Sequence, residues 1–476
     1  MIKLTRRDIG VALGAAATLG GSTGAVPVKA AAGAPFPTGF KWGCATAAYQ
    51  IEGAANEDGR GQSIWDVFSH APGNIADGAT GDVACDSYRR YREDTQLLKG
   101  LGAKAYRFSI AWPRIFPEGR GSPNQKGVDH YDRLVNDLLA NGIEPWVTLF
   151  HWDLPMALPG GWQSRDTAYA FADYAGFMAE KLSDRVKHFI TLNEMSSFVD
   201  LGYKHGLHAP GLRLPVAEVN QVRHHALLAH GLGAQAIRAH ARPDVQVGLA
   251  ENPIVTIPAI GSAEHIAAAR NAMREMNAGY LTAVMEGRYT DHYLTEAGAG
   301  APKIAAGDMG VIGSPLDFVG INIYTGAYVT AAPDSPAGFT VISPPASYPR
   351  MILAWLMIAP ESLYWGPRFV TELWKPKAIF ISENGAASDD KPLNGRVEDT
   401  DRLMFLGNYL RHLQRATAEG YPVKGYFLWS LLDNFEWAEG YTKRFGIHYT
   451  NYATQARSPK LSAAWYGELI RRNALV

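Results

Sequence analysis

From Phe40 onward the chain alternates short apolar, β-favouring runs with longer stretches in which apolar positions recur at helical spacing. The short runs are Phe40–Ala47, Ala105–Ile110, Glu144–Phe150, His188–Asn193, Val245–Ala250, Asp317–Ile323, Ala378–Ser382 and Gly425–Ser430. Helical spacing between them predicts helices over Tyr131–Asn141, Tyr169–Leu182, Val219–Ala239, Glu264–Gly287 and Arg402–Ala418. This order of elements is that of a parallel sheet with crossover helices, and eight such units close into a single (β/α)8 TIM barrel with extended loops at its C-terminal face. An open doubly wound sheet is the competing architecture, but no Gly-rich phosphate loop supports it. Thr330–Pro349, rich in Pro, Ser and Ala, reads as a long loop within the barrel. Met351–Ile358 is apolar but only eight residues long, so it reads as a buried helix start rather than a membrane span. No linker-like run and no internal repeat divides residues 31–476.

The first thirty residues follow a different pattern. Arg6-Arg7 precedes a mild apolar run, Ile9–Val26, diluted by Ala and Gly, and small residues follow around Lys29-Ala30-Ala31. Such a segment predicts a twin-arginine-type export signal over residues 1–30, removed on translocation to the periplasm or medium. Its removal takes four basic residues (Lys3, Arg6, Arg7, Lys29) and one acidic residue (Asp8) from a chain of formal charge −1, leaving −4. The mature protein is then mildly acidic and has no membrane segment.

Composition changes this picture little. With 47% hydrophobic and 19% charged residues the chain has a substantial core. The balance of charge gives no basic field for phosphates, so nucleic acid is not an expected partner. Cys44 and Cys85 lack the number and spacing of a disulfide scaffold or a zinc site, and read as packing residues. His224, His225, His230 and His240 fall in a helical stretch at spacings that suit packing better than metal binding.

Functional side chains of a TIM barrel sit at the carboxyl ends of its strands, and here those ends are unusually polar. Strand 4 ends in Asn193-Glu194 and strand 7 in Glu383-Asn384-Gly385; strand 1 leads to Gln50 and Glu52, and strand 2 carries Arg107. Strand 3 runs into His151-Trp152-Asp153, strand 6 into Asn322 and Tyr324, and strand 8 into Trp429 and then Glu436-Trp437. Cleaving an acetal requires an acid for the departing oxygen and a carboxylate for the oxocarbenium-like carbon. Amides and carboxylates suit vicinal hydroxyls, and indole faces suit the apolar C–H faces of a sugar ring. Neither a metal nor a cofactor is expected.

The chain resembles glycoside hydrolase family 1, the β-glucosidase family, over its mature length. The matching stretches are Phe40-Lys41-Trp42-Gly43, Gln50-Ile51-Glu52-Gly53, Tyr106-Arg107-Phe108-Ser109, Trp112-Pro113-Arg114-Ile115, His151-Trp152-Asp153-Leu154-Pro155, Asn193-Glu194, Asn322 with Tyr324, Glu383-Asn384-Gly385, and Trp429-Ser430 through Asp433-Asn434-Phe435-Glu436-Trp437. The resemblance implies Glu194 as acid/base and Glu383 as the nucleophile of a retaining exo-β-glycosidase, most simply a β-glucosidase that also accepts other equatorial glycosides. It implies Arg107 and Tyr324 as flanks of Glu383, Asn322 as the group orienting the carboxylates, and Asn193 as a contact to the sugar 2-hydroxyl. Gln50, His151 and Glu436 would hold the other hydroxyls, and Trp429 and Trp437 would shape the sugar platform. An acidic Glu436 implies an unphosphorylated sugar, because a carboxylate there would repel phosphate. The expected partner is thus a small β-glycoside or oligosaccharide. A transglycosylase and a catalytically silent sugar-binding barrel are the alternative readings on this scaffold. Two residues depart from the family pattern: Ser382 stands where Thr is usual, and Met195 where Pro is usual, beside the expected aglycone site. Met156, where a polar residue is common, points to the same site.

Overall fold

A computed structural model describes residues 35–476; the expected export signal at residues 1–30 lies outside the described residues. Eight strands form a closed, all-parallel barrel in chain order: β1 (Lys41–Ala45), β2 (Ala105–Ser109), β3 (Glu144–Phe150), β4 (His188–Asn193), β5 (Gln246–Glu251), β6 (Phe318–Asn322), β7 (Ile379–Asn384) and β8 (Val423–Trp429). β8 returns to β1, with Lys41 opposite Gly425 and Ala45 opposite Trp429. One long helix follows each strand: α1 (Ser87–Leu101), α2 (Gln125–Ala140), α3 (Asp166–Leu182), α4 (Val216–His240), α5 (Ala263–Met276), α6 (Ser362–Trp374), α7 (Thr400–Ala418) and α8 (Leu461–Arg472). The predicted (β/α)8 order is therefore the observed one, and each strand boundary falls within two residues of its expected place.

The barrel is filled by large rings from its N-terminal half. The Trp146 ring lies 4.6 Å from Phe380, 5.0 Å from Phe427 and 5.4 Å from Phe318, and His188 stacks on it at 3.8 Å. Two strand glycines make room for them: a Cβ on Gly248 would collide with the Phe318 ring, and one on Gly43 with Phe427. The plug leaves the opposite, C-terminal mouth for polar groups.

Three expectations are corrected. The predicted loop Thr330–Pro349 contains strand structure: Ala327–Ala331 pairs with Thr256–Pro258 and, antiparallel, with Phe339–Val341. The expected helix Glu264–Gly287 breaks after Met276, because the Asn277 side chain bonds both the N–H and the carbonyl of Ile254 as well as the carbonyl of Met273. Met351–Ile358 is not the start of a helix but an irregular turn, with Leu353 and Leu356 buried and Trp355 exposed. Among the described residues no helix is long and apolar enough to cross a membrane.

Behind the loops that follow β7 and β8 lies a buried ionic network. Arg402 pairs with Asp390 at 2.7 Å and with Asp399, Lys460 pairs with Asp390 and with Asp433 at 2.6 Å, and Arg444 reaches Asp433 at 2.7 Å. Asp433 opens the segment that carries Glu436 and Trp437, so the network fixes one wall of the barrel mouth.

Candidate active site

Three strands deliver two glutamates and the amide between them. The register of β4 against β5 shifts between Ile190 and Asn193, and that of β7 against both of its neighbours shifts beyond Ile381. Such irregularities re-aim side chains next to functional sites. Glu383 leaves β7 at this point, opposite Asn322 of β6. Glu194 follows β4 in a left-handed backbone conformation (φ 50°) and precedes the short helix Met195–Val199. For a residue with a Cβ that conformation costs on the order of 1 kcal/mol, and it persists only where its surroundings impose it.

Hydrogen bonds order the cluster without ambiguity. Arg107, fully buried on β2, donates from Nη1 to Glu383 Oε1 at 2.5 Å, from Nη2 to Asn193 Oδ1 at 2.5 Å and from Nε to Thr148 Oγ1 at 3.1 Å. Tyr324 donates its hydroxyl to Glu383 Oε2 at 2.7 Å. Ser382 Oγ donates to Asn322 Oδ1 at 2.6 Å, which turns Asn322 Nδ2 toward Glu194 Oε1 at 2.7 Å and Asn193 Oδ1 at 3.1 Å. Ser382 thus uses the hydroxyl it shares with the usual Thr. Asn193 Oδ1 already accepts twice, so its Nδ2 donates to His151 Nε2 at 3.0 Å. The network therefore assigns the His151 proton to Nδ1. Burial, and then the Arg107 cation, hold this ring neutral, far below the ordinary histidine range.

The two carboxyls differ electrically. Glu194 is pushed up to about 8, by burial first and by the charge of Glu383 second, against the neutral amide of Asn322. Burial also raises Glu383, but Arg107 and Tyr324 pull it back. Only Glu383 has a cation in contact, so a single shared proton resides on Glu194. Glu436 is likewise pushed up to about 8 by burial and by Glu383.

These groups surround a cavity of about 560 Å3. His151, Glu194, Tyr324, Glu383, Trp429, Glu436 and Trp437 line it, while Gln50, Arg107, Asn193 and Asn322 stand behind them. Gln50 Nε2 is spent on Asn434 Oδ1 and the Phe435 carbonyl, leaving Oε1 without a partner, as is His151 Nδ1. The His151 ring stacks near Trp429 (5.7 Å) and Trp437 (6.0 Å). Every site residue expected from sequence thus converges on one place.

Neighbouring candidates do not. Glu52 is turned to Arg114 (3.0 Å) and Tyr131 (2.6 Å) as a structural anion. Asp153 is buried off the cavity, and burial pushes it up to about 8. Met195, expected to alter the loop beside the aglycone site, is fully buried, and Met156 lies outside the cavity lining. Leu201, Leu207, His208, Leu353 and Trp355 also line the cavity, all from irregular or short segments with no periodic signal. His224, His225 and His230 pack within the fold against Asp308, the Trp162 carbonyl and Thr191, while His240 packs against Gly176. Among the described residues no group of His, Cys, Asp and Glu is arranged to hold a metal. Both cysteines are buried, with thiols pushed up by burial.

Comparison with known proteins agrees with this geometry. The chain is 45% identical over 445 residues to the 1,4-beta-D-glucan glucohydrolase of Thermotoga neapolitana, covering 92% of this chain and 99% of that protein. It is 46% identical over 447 residues to Beta-glucosidase A of Acetivibrio thermocellus, covering 92% and 98%. The solved structure of the beta-glucosidase from Thermotoga maritima in complex with glucoimidazole superposes with a TM-score of 0.85 at 44% identity, covering 93% of this chain and all of that one. The family model described as Glycosyl hydrolase family 1 matches residues 32–475, and the chain belongs to that family.

Proposed function

We propose that this protein is a retaining exo-β-glucosidase in which Glu383 is the nucleophile and Glu194 the acid/base. The observation that carries the assignment is the electrical asymmetry of the buried pair: the Arg107 cation at 2.5 Å and Tyr324 at 2.7 Å on Glu383, against only neutral groups, Asn322 and Ser197, on Glu194. A Glu383 oxygen attacks the anomeric carbon as the bond to the leaving oxygen breaks, and the Glu194 proton passes to that oxygen. Esterified Glu383 no longer repels the Glu194 carboxylate. Water then gives its proton to Glu194 and its oxygen to the anomeric carbon, releasing Glu383. Direct attack needs carboxyls about 5 Å apart rather than the wider gap that admits water. That one Asn322 side chain acts on both carboxyls supports the close spacing.

The glycone is held by groups already oriented but unspent: Gln50 Oε1, His151 Nδ1–H, the second Asn193 amide proton and Glu436, with Trp429 and Trp437 against the ring. The relatives named as β-glucosidases support glucose as that ring. A folded protein that fails to turn over an aryl β-glucoside would overturn the assignment. Proton NMR of the first product should show the β-anomer, and Glu383→Gln should abolish turnover. We further propose export through the paired arginines; replacing Arg6 and Arg7 by lysine should retain the activity in the cytoplasm.

A further inference from the structure

β5 runs one residue past its expected end, to Glu251, which the mechanism above does not use. Glu251 is fully buried and all its partners are neutral. Its Oε2 accepts from the Met195 N–H at 2.9 Å, and its Oε1 accepts from the Ser196 N–H at 3.2 Å and Ser196 Oγ at 2.7 Å. The adjacent Asn252 extends the contact, with Nδ2 donating to Ser197 Oγ at 2.8 Å. Met195, Ser196 and Ser197 are the first three residues of the helix that begins directly after Glu194.

The first N–H groups of a helix have no partner within it, and the preceding side chain ordinarily supplies one. Here the preceding residue is Glu194, which makes no such bond, because its carboxyl faces the cavity. The capping is transferred to the neighbouring strand. Met195 makes the transfer possible in part, since a proline at that position has no N–H to give.

We propose that Glu251 is a positioning residue for acid catalysis. It caps the helix in place of Glu194 and locks Glu194 in its left-handed backbone with the carboxyl toward the glycosidic oxygen. The groups facing Glu194 are Glu383 from β7 and Glu251 from β5, which favour the protonated form, and Asn322 from β6 and Ser197 from the short helix, which favour the ionised form. Those facing Glu251 are Met195, Ser196 and Asn252.

The inference rests on Glu194 being the acid/base, and the test separates the two. Glu251→Gln is compared with wild type on cellobiose, whose leaving group needs a proton, and on a dinitrophenyl β-glucoside, whose leaving group does not. Active sites are counted by the burst of the activated substrate. Cellobiose kcat/KM should fall about tenfold, part of the ~10²–10⁴-fold that a general acid supplies, with less than about a threefold change on the aryl substrate. The alkaline limb of the cellobiose profile should move to lower pH, and Glu251→Asp should recover it. Ser197→Ala, which removes a hydroxyl that favours the ionised form, should move the same limb the opposite way and remains informative where Glu251→Gln yields no soluble protein. Equal loss on both substrates, or limbs unmoved in both Glu251→Gln and Ser197→Ala, overturns the inference. If Glu194→Gln itself keeps cellobiose activity, the acid/base assignment falls first; if it loses that activity while Glu251→Gln does not, only the role of Glu251 falls.

Discussion

Replacing Glu194 by Gln should stabilise the protein while disabling it, and the gain should depend on pH. Glu194 titrates at about 8 in the fold against an ordinary value near 4.5. The folded state therefore binds more protons than the unfolded state between those values, and stability falls as pH rises through that window. Each pH unit is worth about 1.4 kcal/mol, which amounts to something on the order of 4 kcal/mol by pH 8. Glutamine carries no titrating proton and keeps the oxygen that accepts from Asn322 at 2.7 Å. Its advantage over wild type should be near zero at pH 4.5 and grow to that magnitude at pH 8. At roughly 1 °C per kcal/mol for a chain of this length, calorimetry should show Tm of the variant pulling ahead by about 4 °C across the window. Glu436 also titrates high, partly because of the Glu194 charge, so the substitution relieves Glu436 as well and adds to the same trend. A Tm difference that does not change with pH would refute the assignment of the site's proton to Glu194.

The same ionisation should set the alkaline limb of kcat/KM for cellobiose near pH 8, read from initial rates in the free-enzyme regime. Arg107→Met removes the cation that opposes burial at Glu383, so the acidic limb should move to higher pH and kcat/KM should fall by about 10³ or more; an unmoved limb would show that Arg107 acts by packing alone. Lys460→Met leaves Asp390 and Asp433 short of a buried counter-charge, which should cost about 3–5 kcal/mol in denaturant unfolding. Trp355→Ala opens the outer wall of the cavity and should raise KM for aryl glucosides several-fold while leaving the rate of glycosyl-enzyme hydrolysis within about twofold, since the leaving group has by then departed.

The barrel was legible because its strands are concentrated apolar runs and because each conserved its place between helical periods. The two catalytic glutamates were legible because each stands at a strand end, where a polar side chain stands out against the run before it, and the family resemblance supplied the roles of the residues around them. What escaped is of another kind. The apolar part of the cavity lining includes Leu201, Leu207, Leu353 and Trp355, ordinary apolar residues brought there only by irregular backbone. The apolar run from Met351 mimicked a helix because hydrophobicity without period does not distinguish a helix from a packed turn. The helix break at Asn277 depends on a side chain reaching Ile254, more than twenty residues away, which no local window records. Glu251 lies one position beyond the predicted strand Val245–Ala250, and nothing in the local pattern singles it out. Met195 stood out as a replacement for the usual Pro, and what that replacement adds is a backbone N–H bonded to Glu251.

The register shifts near the ends of β4 and β7 carry a consequence for how such an enzyme changes. Up to Ile190 against β5 and up to Ile381 against β6 the strands keep the pairing that closes the barrel, and the carboxylates emerge only after that pairing has slipped. Closure and chemistry are therefore set by different stretches of the same strands. A third stretch, the segments bearing Leu201, Leu207, Leu353 and Trp355, lines the rest of the cavity. A library confined to those segments would sample new aglycones on an unchanged glucose pocket, so acceptor range can diversify by loop substitution while turnover chemistry and barrel closure are inherited intact.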